Sequence, residues 1–178
     1  VPDVKQRQIA EVLSRPLSEE MLARPFLRMA YVARDGTPRC IPTGFAWNGE
    51  QLVTCTPKNA PKLEHLQHNP AVALTIDTDE HPPKILLIRG RAELDYVDHI
   101  PDEFIGMNKA DHMTPEQRVE WEAGVRGLYV DGMVRIVITP TWAKLIDFET
   151  TLPQAVAELV QRQADLRSGL KDGSKPSP

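Results

Sequence analysis

The stretch Thr54-Cys55-Thr56-Pro57-Lys58-Asn59-Ala60-Pro61-Lys62-Leu63-Glu64-His65-Leu66-Gln67-His68-Asn69-Pro70-Ala71-Val72-Ala73-Leu74 decides how this chain is read. It opens as a strand ending in hydroxyl side chains, passes through a short loop, and enters a helix with a lysine in its first turn. Asn59 is the expected N-cap, and Pro61 falls in the first turn, where its missing N–H costs nothing. Asn69-Pro70 ends the helix, and a new strand begins at Ala71. Free N–H groups at a helix start attract anions, and the helix dipole adds to the pull. Thr56, Lys58 and Lys62 bring one hydroxyl donor and two cations to that place. Two readings stand side by side: a cradle for a phosphate, or a solvated turn with surface lysines.

Working towards the N-terminus, Phe26 to Ala33 reads as a strand closed by the turn Arg34-Asp35-Gly36-Thr37. The runs Pro38 to Trp47 and Gln51 to Thr56 form a hairpin across Asn48-Gly49, a pair that tolerates positive φ. With those two as the turn residues, Thr43 faces Thr54, Ile41 faces Thr56 and Pro42 faces Cys55. Cys40 is then a diagonal neighbour of Cys55, about 7–8 Å away, beyond the roughly 6.8 Å limit for a disulfide. Both thiols read as free. Asp3 to Ala23 reads as one or two short helices, with Ile9, Val12 and Leu13 on an apolar stripe and a second start at Ser18-Glu19-Glu20.

Towards the C-terminus, strands are expected at Ala71 to Asp77 and Lys84 to Leu94, split by the acidic loop Asp79-Glu80-His81-Pro82-Pro83. Pro101 to Arg126 is a charged helical insertion. Strands at Met133 to Ile138 and Trp142 to Phe148 are separated by Thr139-Pro140. A helix runs from Pro153 to about Leu166, and the polar tail Gly169 to Pro178 is expected to be disordered. About six to seven strands joined by short turns predict a mainly β (α+β) fold. It is an antiparallel split β-barrel with peripheral helices, one domain over residues 1–168.

The bulk numbers fit this. At 178 residues and 41% hydrophobic content, a single chain can bury roughly 70% of its unfolded surface and needs no disulfide or structural metal. A net charge of −4 and a pI near 5.7 lack the basic face of a nucleic-acid binder. No apolar run reaches the roughly 20 residues of a membrane span, and Val-Pro-Asp-Val-Lys has no secretory core. The expected setting is cytoplasmic, without nucleic-acid or membrane partners.

These pieces resemble the pyridoxamine-phosphate-oxidase-like flavoproteins. The matching segments are the strand–loop–helix from Thr54 to Asn69-Pro70, with a lysine eight residues before the proline, and the strand Leu87-Ile88-Arg89-Gly90-Arg91-Ala92-Glu93-Leu94. The hairpin entry Asp35-Gly36-Thr37-Pro38-Arg39 also fits, so the likeness spans Phe26 to Phe148. The resemblance implies a split barrel that binds FMN, or a deazaflavin relative, between two subunits. It implies phosphate contacts at Thr56 and Lys62, with Lys58 nearby, and a ring system resting along Ile41, Pro42 and Thr43. A proline inside a strand belongs at an edge, which suits a flat ring laid there. Two departures matter. Ala60-Pro61 stands where the oxidases proper carry serine-arginine, and their terminal arginine-leucine-x-proline segment is missing. Vitamin B6 oxidation is therefore not carried over.

Three functions follow from the resemblance: an FMN-dependent oxidoreductase acting on a small organic molecule, a deazaflavin-dependent reductase, or a non-catalytic module holding flavin or haem. The cofactor would carry the electron chemistry, in keeping with a sequence that shows no acid–base constellation. A homodimer is expected, because Leu27, Met29, Tyr31, Ile41, Phe45, Leu52 and Val53 place apolar side chains on both faces of the first hairpin. His65 and His68, three apart, have no third ligand at matching spacing. His99 and His112 sit in or beside the charged insertion and read as surface residues. Trp47, Trp121 and Trp142 read as packing residues, with Trp142 a candidate for lining a cleft.

Overall fold

Side chains alternate in and out along the first strand: Leu27, Met29 and Tyr31 are buried while Phe26, Arg28 and Val32 are exposed. That period of two makes one face of a sheet the core. The computed structural model describes residues 4–107 and 113–172. In chain order the elements are α1 (Val4–Leu13), α2 (Pro16–Leu22), β1 (Phe26–Val32), β2 (Pro38–Gly44), β3 (Ala46–Trp47), β4 (Leu52–Pro57) and α3 (Lys62–His68). There follow β5 (Ala71–Asp77), β6 (Ile85–Val97), α4 (Asp102–Met107), α5 (Pro115–Leu128), β7 (Met133–Ile146) and α6 (Gln154–Asp172). His112 lies outside the described residues.

The strands form one antiparallel sheet in the order β2-β1-β5-β6-β7-β4-β3. The two edge strands, β2 and β3, are separated in sequence by Phe45 alone. A chain cannot jump from one edge of a flat sheet to the other in one residue. The sheet therefore curls until its edges meet, and Phe45, buried, plugs the seam. Among the described residues no ladder closes it. This is the α+β split barrel expected from the sequence.

Two cores result. Inside the curl lie Leu27, Met29, Leu52, Leu74, Ile88 and Ile136, with Ile9, Leu13 and Leu66 capping from the helices. Outside β4, a smaller cluster joins Val53, Cys55, Met133 and Ile100 to Phe104 and Tyr129 of the helical insertion. Arg135 of β7 ties that insertion down, donating to Asp95 (2.7 Å) and to Glu103 on α4. All but Ile41 of the hairpin residues that suggested a dimer are buried within their own chain. The apolar excess on the outer face of β4 is covered by the insertion, so that argument for a second subunit falls away.

Four local expectations are corrected. The β3–β4 connection is a four-residue loop, with Trp47 opposite Leu52 and Ala46 opposite Val53. The Asn48 side chain accepts the Glu50 and Gln51 N–H groups at 3.0 and 2.7 Å, and the Asn48 N–H donates to the Gln51 carbonyl at 3.2 Å, so the chain reverses about Gly49-Glu50 and not Asn48-Gly49. β2 pairs with β1, as the hairpin entry at Asp35-Gly36-Thr37-Pro38-Arg39 implied, and not with β4. The expected break at Thr139-Pro140 is a β-bulge inside one long β7. Arg89 faces Trp142 and Gly90 faces Pro140, leaving Thr141 unpaired, which is where a strand tolerates proline. Ser18 caps nothing; fully buried, its hydroxyl donates back to the Val12 carbonyl at 2.7 Å. Finally, α6 continues past Leu166 to Asp172, into the segment from Gly169 that was expected to be a disordered tail; the rest of that tail lies outside the described residues.

The link into α6 is held by Asp147. Its carboxylate accepts from the Thr150 hydroxyl (2.6 Å) and from the N–H groups of Thr151, Thr150 and Glu149 at 2.7–3.0 Å. The Thr150 hydroxyl and these amides favour the charged form and hold the Asp147 pKa down to about 2. A depressed carboxylate contributes stability that is complete above its ordinary value near 3.8 and lost as pH falls through the folded value. Asp147→Ala is therefore expected to lower the urea midpoint at pH 7 and to leave it nearly unchanged below pH 2. An equal loss at both pH values would show that the carboxylate charge is not what holds the turn.

Candidate functional site

β4 delivers two buried threonines, Thr54 and Thr56, to the end of the sheet, with Lys58 on the turn and Lys62 opening α3. Pro61, not Asn59, occupies the cap position, and no side chain caps the helix. The helix is braced elsewhere. Leu63 and Leu66 bury into the core, and His65 stacks on Tyr31 at 6.0 Å between ring centroids. The Arg34 N–H donates to His65 Nδ1 at 3.3 Å, and Arg34 pairs with Glu64. His65 is thus a brace between β1 and α3. Among the described residues no group of His, Cys, Asp or Glu is placed to hold a metal ion.

Lys62 and Thr56 share an incompleteness. Burial pushes the Lys62 ammonium below its ordinary pKa, and no carboxylate pairs with it among the described residues. Thr56 is 4% exposed, yet its hydroxyl makes no hydrogen bond among the described residues. Among the described residues no fully enclosed side-chain polar atom lacks a partner, so that oxygen meets solvent. A half-buried cation without an anion and a hydroxyl without an acceptor suit a phosphate-bearing group. Lys58 is exposed on the adjoining turn, close enough to Asp98 to help lower that carboxyl.

The other three expected residues lie across the seam. Thr43 Oγ1 meets Thr54 Oγ1 at 2.7 Å, so the two residues expected to face each other are in contact through hydroxyls instead of a ladder. Ile41 packs partly against the main core on the same face as Thr43. Pro42 is turned to the opposite, exposed face, beside Cys40, and as part of an edge strand its missing N–H leaves no ladder bond unmade on the open side. Opposite Pro42 stands Arg28, ion-paired with Asp77. Sequence reading did not find this pair, because it ended the strand at Asp77 without knowing that β1 lies beside it. Trp142 carries Arg89 over its ring at 4.5 Å on that outer face.

None of the six residues lines the clefts of about 770 and 760 Å³ found beside α1 and α2. The Thr56–Lys62 site is an open surface on one chain.

The family model of pyridoxamine 5'-phosphate oxidase matches residues 13–139, which takes in the barrel strands up to the β7 bulge and every residue of the site. The chain belongs to the pyridoxamine 5'-phosphate oxidase family. Among solved structures of the same fold, a protein named F420 reductase is 30% identical with a TM-score of 0.55, covering 71% of this chain and 94% of its own. A conserved hypothetical protein of Mycobacterium tuberculosis is 16% identical, with 84% and 87% covered and a TM-score of 0.57. A haem storage protein of Vibrio cholerae is 19% identical, with 75% and 93% covered and a TM-score of 0.51. These last two share the fold alone. Among curated proteins none matches the chain.

The two cysteines of this family member are both free, one exposed and one buried. Burial pushes the Cys55 thiol up to about 12, with Glu103 adding to the rise and Arg135 opposing it. A thiol reagent at pH 8 is expected to modify Cys40 within minutes and Cys55 only after unfolding, because the thiolate is the nucleophile. Two equivalents reacting at one rate in the native protein would contradict the burial of Cys55.

Proposed function

We propose that this chain is an oxidoreductase that uses a phosphate-bearing deazaflavin coenzyme, held between two copies of the chain, to reduce a small organic molecule. The observation that carries the reading is Lys62: half-buried, depressed by desolvation and without a carboxylate partner among the described residues. A cation in that state is stabilised when an anion arrives beside it. Lys62 would hold the phosphate with Thr56 donating its hydroxyl and Lys58 adding charge from the turn, while the β2 edge at Ile41, Pro42 and Thr43 would support the ring. The coenzyme supplies the hydride chemistry; the chain's part is to bind, orient and exclude water. The 30% identity to an F420 reductase over 94% of that protein favours the deazaflavin over FMN, to which the sequence reading gave first place.

The second copy is proposed because a planar group lying on this open surface would remain half in water, whereas ligand sites bury about 70–90% of what they bind. Exposed Phe26 and Val32, at 65% and 38%, lie on the same outer face as Pro42. A visible spectrum of the purified protein, followed by titration of the coenzyme-free protein with the deazaflavin and with FMN, tests the proposal. Tighter binding of the deazaflavin is the expected result. Tighter FMN binding restores the flavin reading, and an intense Soret band with no affinity for either would make the protein a haem carrier.

A further inference from the structure

α6 spans 19 residues, about 28 Å of helix, and makes no extensive contact with another element of the described chain. Val156, Leu159, Val160 and Leu166 recur at helical spacing and stand 38–63% exposed. An amphipathic helix owes most of its stability to a covered apolar face. Here that face is open. Its charge lies on the same side: Arg162 flanks the stripe beside Leu166, and Arg167, seven residues after Val160, continues the line of Val156 and Val160. Glu158 and Asp165 lie on the far face, bonded to Gln154 and Gln161 at 2.9 Å. The open face is thus apolar and positive, and two of them would repel, which argues against α6 pairing with α6.

A surface of opposite character lies beside α1. The cleft of about 770 Å³ between α1 and the β3–β4 loop has an apolar floor at Ile9, Leu13, Trp47 and Pro140. Its rim carries Glu19 and Glu50, both without an ion pair among the described residues, and Glu11, loosely paired with Arg15 at 3.7 Å. One cation, Arg7, lines it. No residue of α6 lines this cleft in its own chain, and the Asp147 turn fixes the direction in which α6 leaves the barrel.

We infer that the basic, apolar face of α6 docks in trans, into the acidic cleft between α1 and the β3–β4 loop of a second copy. Arg162 and Arg167 meet the Glu19 and Glu50 carboxylates, and the Val and Leu stripe covers Trp47 and Pro140. Each copy gives one helix and receives one, so the exchange closes as a two-fold dimer. A membrane surface is a poorer occupant, because α6 has no aromatic residue and balances its basic residues with as many acidic ones. The inference rests on the two-chain assembly proposed above, for which it supplies a contact outside the coenzyme site.

The test is sedimentation of the full chain over a concentration series, with three variants changed only at exposed positions and checked for native circular dichroism. Arg162→Glu with Arg167→Glu, and separately Glu19→Arg with Glu50→Arg, should each weaken the dimer by about tenfold or more. The protein with all four changes should recover most of the loss, since the charges again match. A dimer unmoved by any variant overturns the docking of α6 and leaves the two-chain coenzyme site standing. A monomer at every concentration overturns both. A monomer that co-sediments with phosphatidylglycerol vesicles only while Arg162 and Arg167 are present assigns α6 to a membrane and overturns the inference.

Discussion

Lys62→Ala is expected to weaken coenzyme binding by about 10- to 150-fold, the equivalent of losing one charge-assisted hydrogen bond of about 1.5–3 kcal/mol. Its effect on folding should be small and not destabilising. The ammonium is partly desolvated and has no ion-pair partner among the described residues, so removing it breaks no salt bridge and relieves a burial penalty. The melting temperature should therefore hold steady or rise while affinity collapses. That opposite movement distinguishes a binding lysine from a structural one. Lys62→Arg should keep part of the affinity, because the charge survives but the planar fork need not fit a place shaped for an ammonium. Lys58→Ala should cost less than Lys62→Ala, since Lys58 is exposed on the turn and its interaction is screened. Titration of the coenzyme-free variants with the deazaflavin and with FMN reads all three. Wild-type affinity in Lys62→Ala for both would mean that the phosphate lies elsewhere.

What the sequence disclosed, and what it withheld, divides along the range of the forces involved. β5 runs from Ala71 to Asp77 as expected, and β1 begins at Phe26 as expected. Both are set by local alternation and by breakers such as Asn69-Pro70. The Thr56–Lys58–Lys62 cluster was legible because it is contiguous in the chain and needs no tertiary knowledge to assemble. The seam was not. Asn-Gly signals a tight turn, but the Asn48 carboxamide outcompetes it by capturing two backbone N–H groups further on, and that shifts the register by two residues. Proline 140 reads locally as a strand break; the bulge that accommodates it is created by Gly90 on the neighbouring strand. A Cβ at Gly90 would sit 2.6 Å from Ile138 and 2.9 Å from the Thr139 carbonyl oxygen, so the bulge and the glycine require each other. The pairing of Arg28 with Asp77 is likewise non-local, joining residues brought side by side only by the β1–β5 ladder.

Gly132→Ala should cause the largest loss of stability of any single methyl added to this chain's described glycines. Gly132 has φ +80°, a region that costs a side-chain-bearing residue about 1–3 kcal/mol. Its backbone also presses against the end of β6: an added Cβ would lie 2.2 Å from the Val97 carbonyl oxygen and 2.6 Å from the Asp98 carbonyl carbon. Backbone cannot swing aside as a flexible side chain would, so strain and overpacking act together. A loss of about 3 kcal/mol is expected, or roughly 6–12 °C in melting temperature for a domain of this size. Gly124→Ala is the control. Gly124 lies within α5 with nothing near its Cβ position, and alanine there should stabilise by about 0.5–1 kcal/mol. The Gly132 change reaches further than stability, because the segment it displaces, Val97-Asp98, stands close to Lys58. Coenzyme affinity should therefore fall in Gly132→Ala even at temperatures where the protein remains folded, and stay unchanged in Gly124→Ala. A Gly132→Ala protein with lowered melting temperature and unaltered affinity would show that the end of β6 can shift without disturbing the Lys58 turn. That result would confine the phosphate site to Thr56 and Lys62.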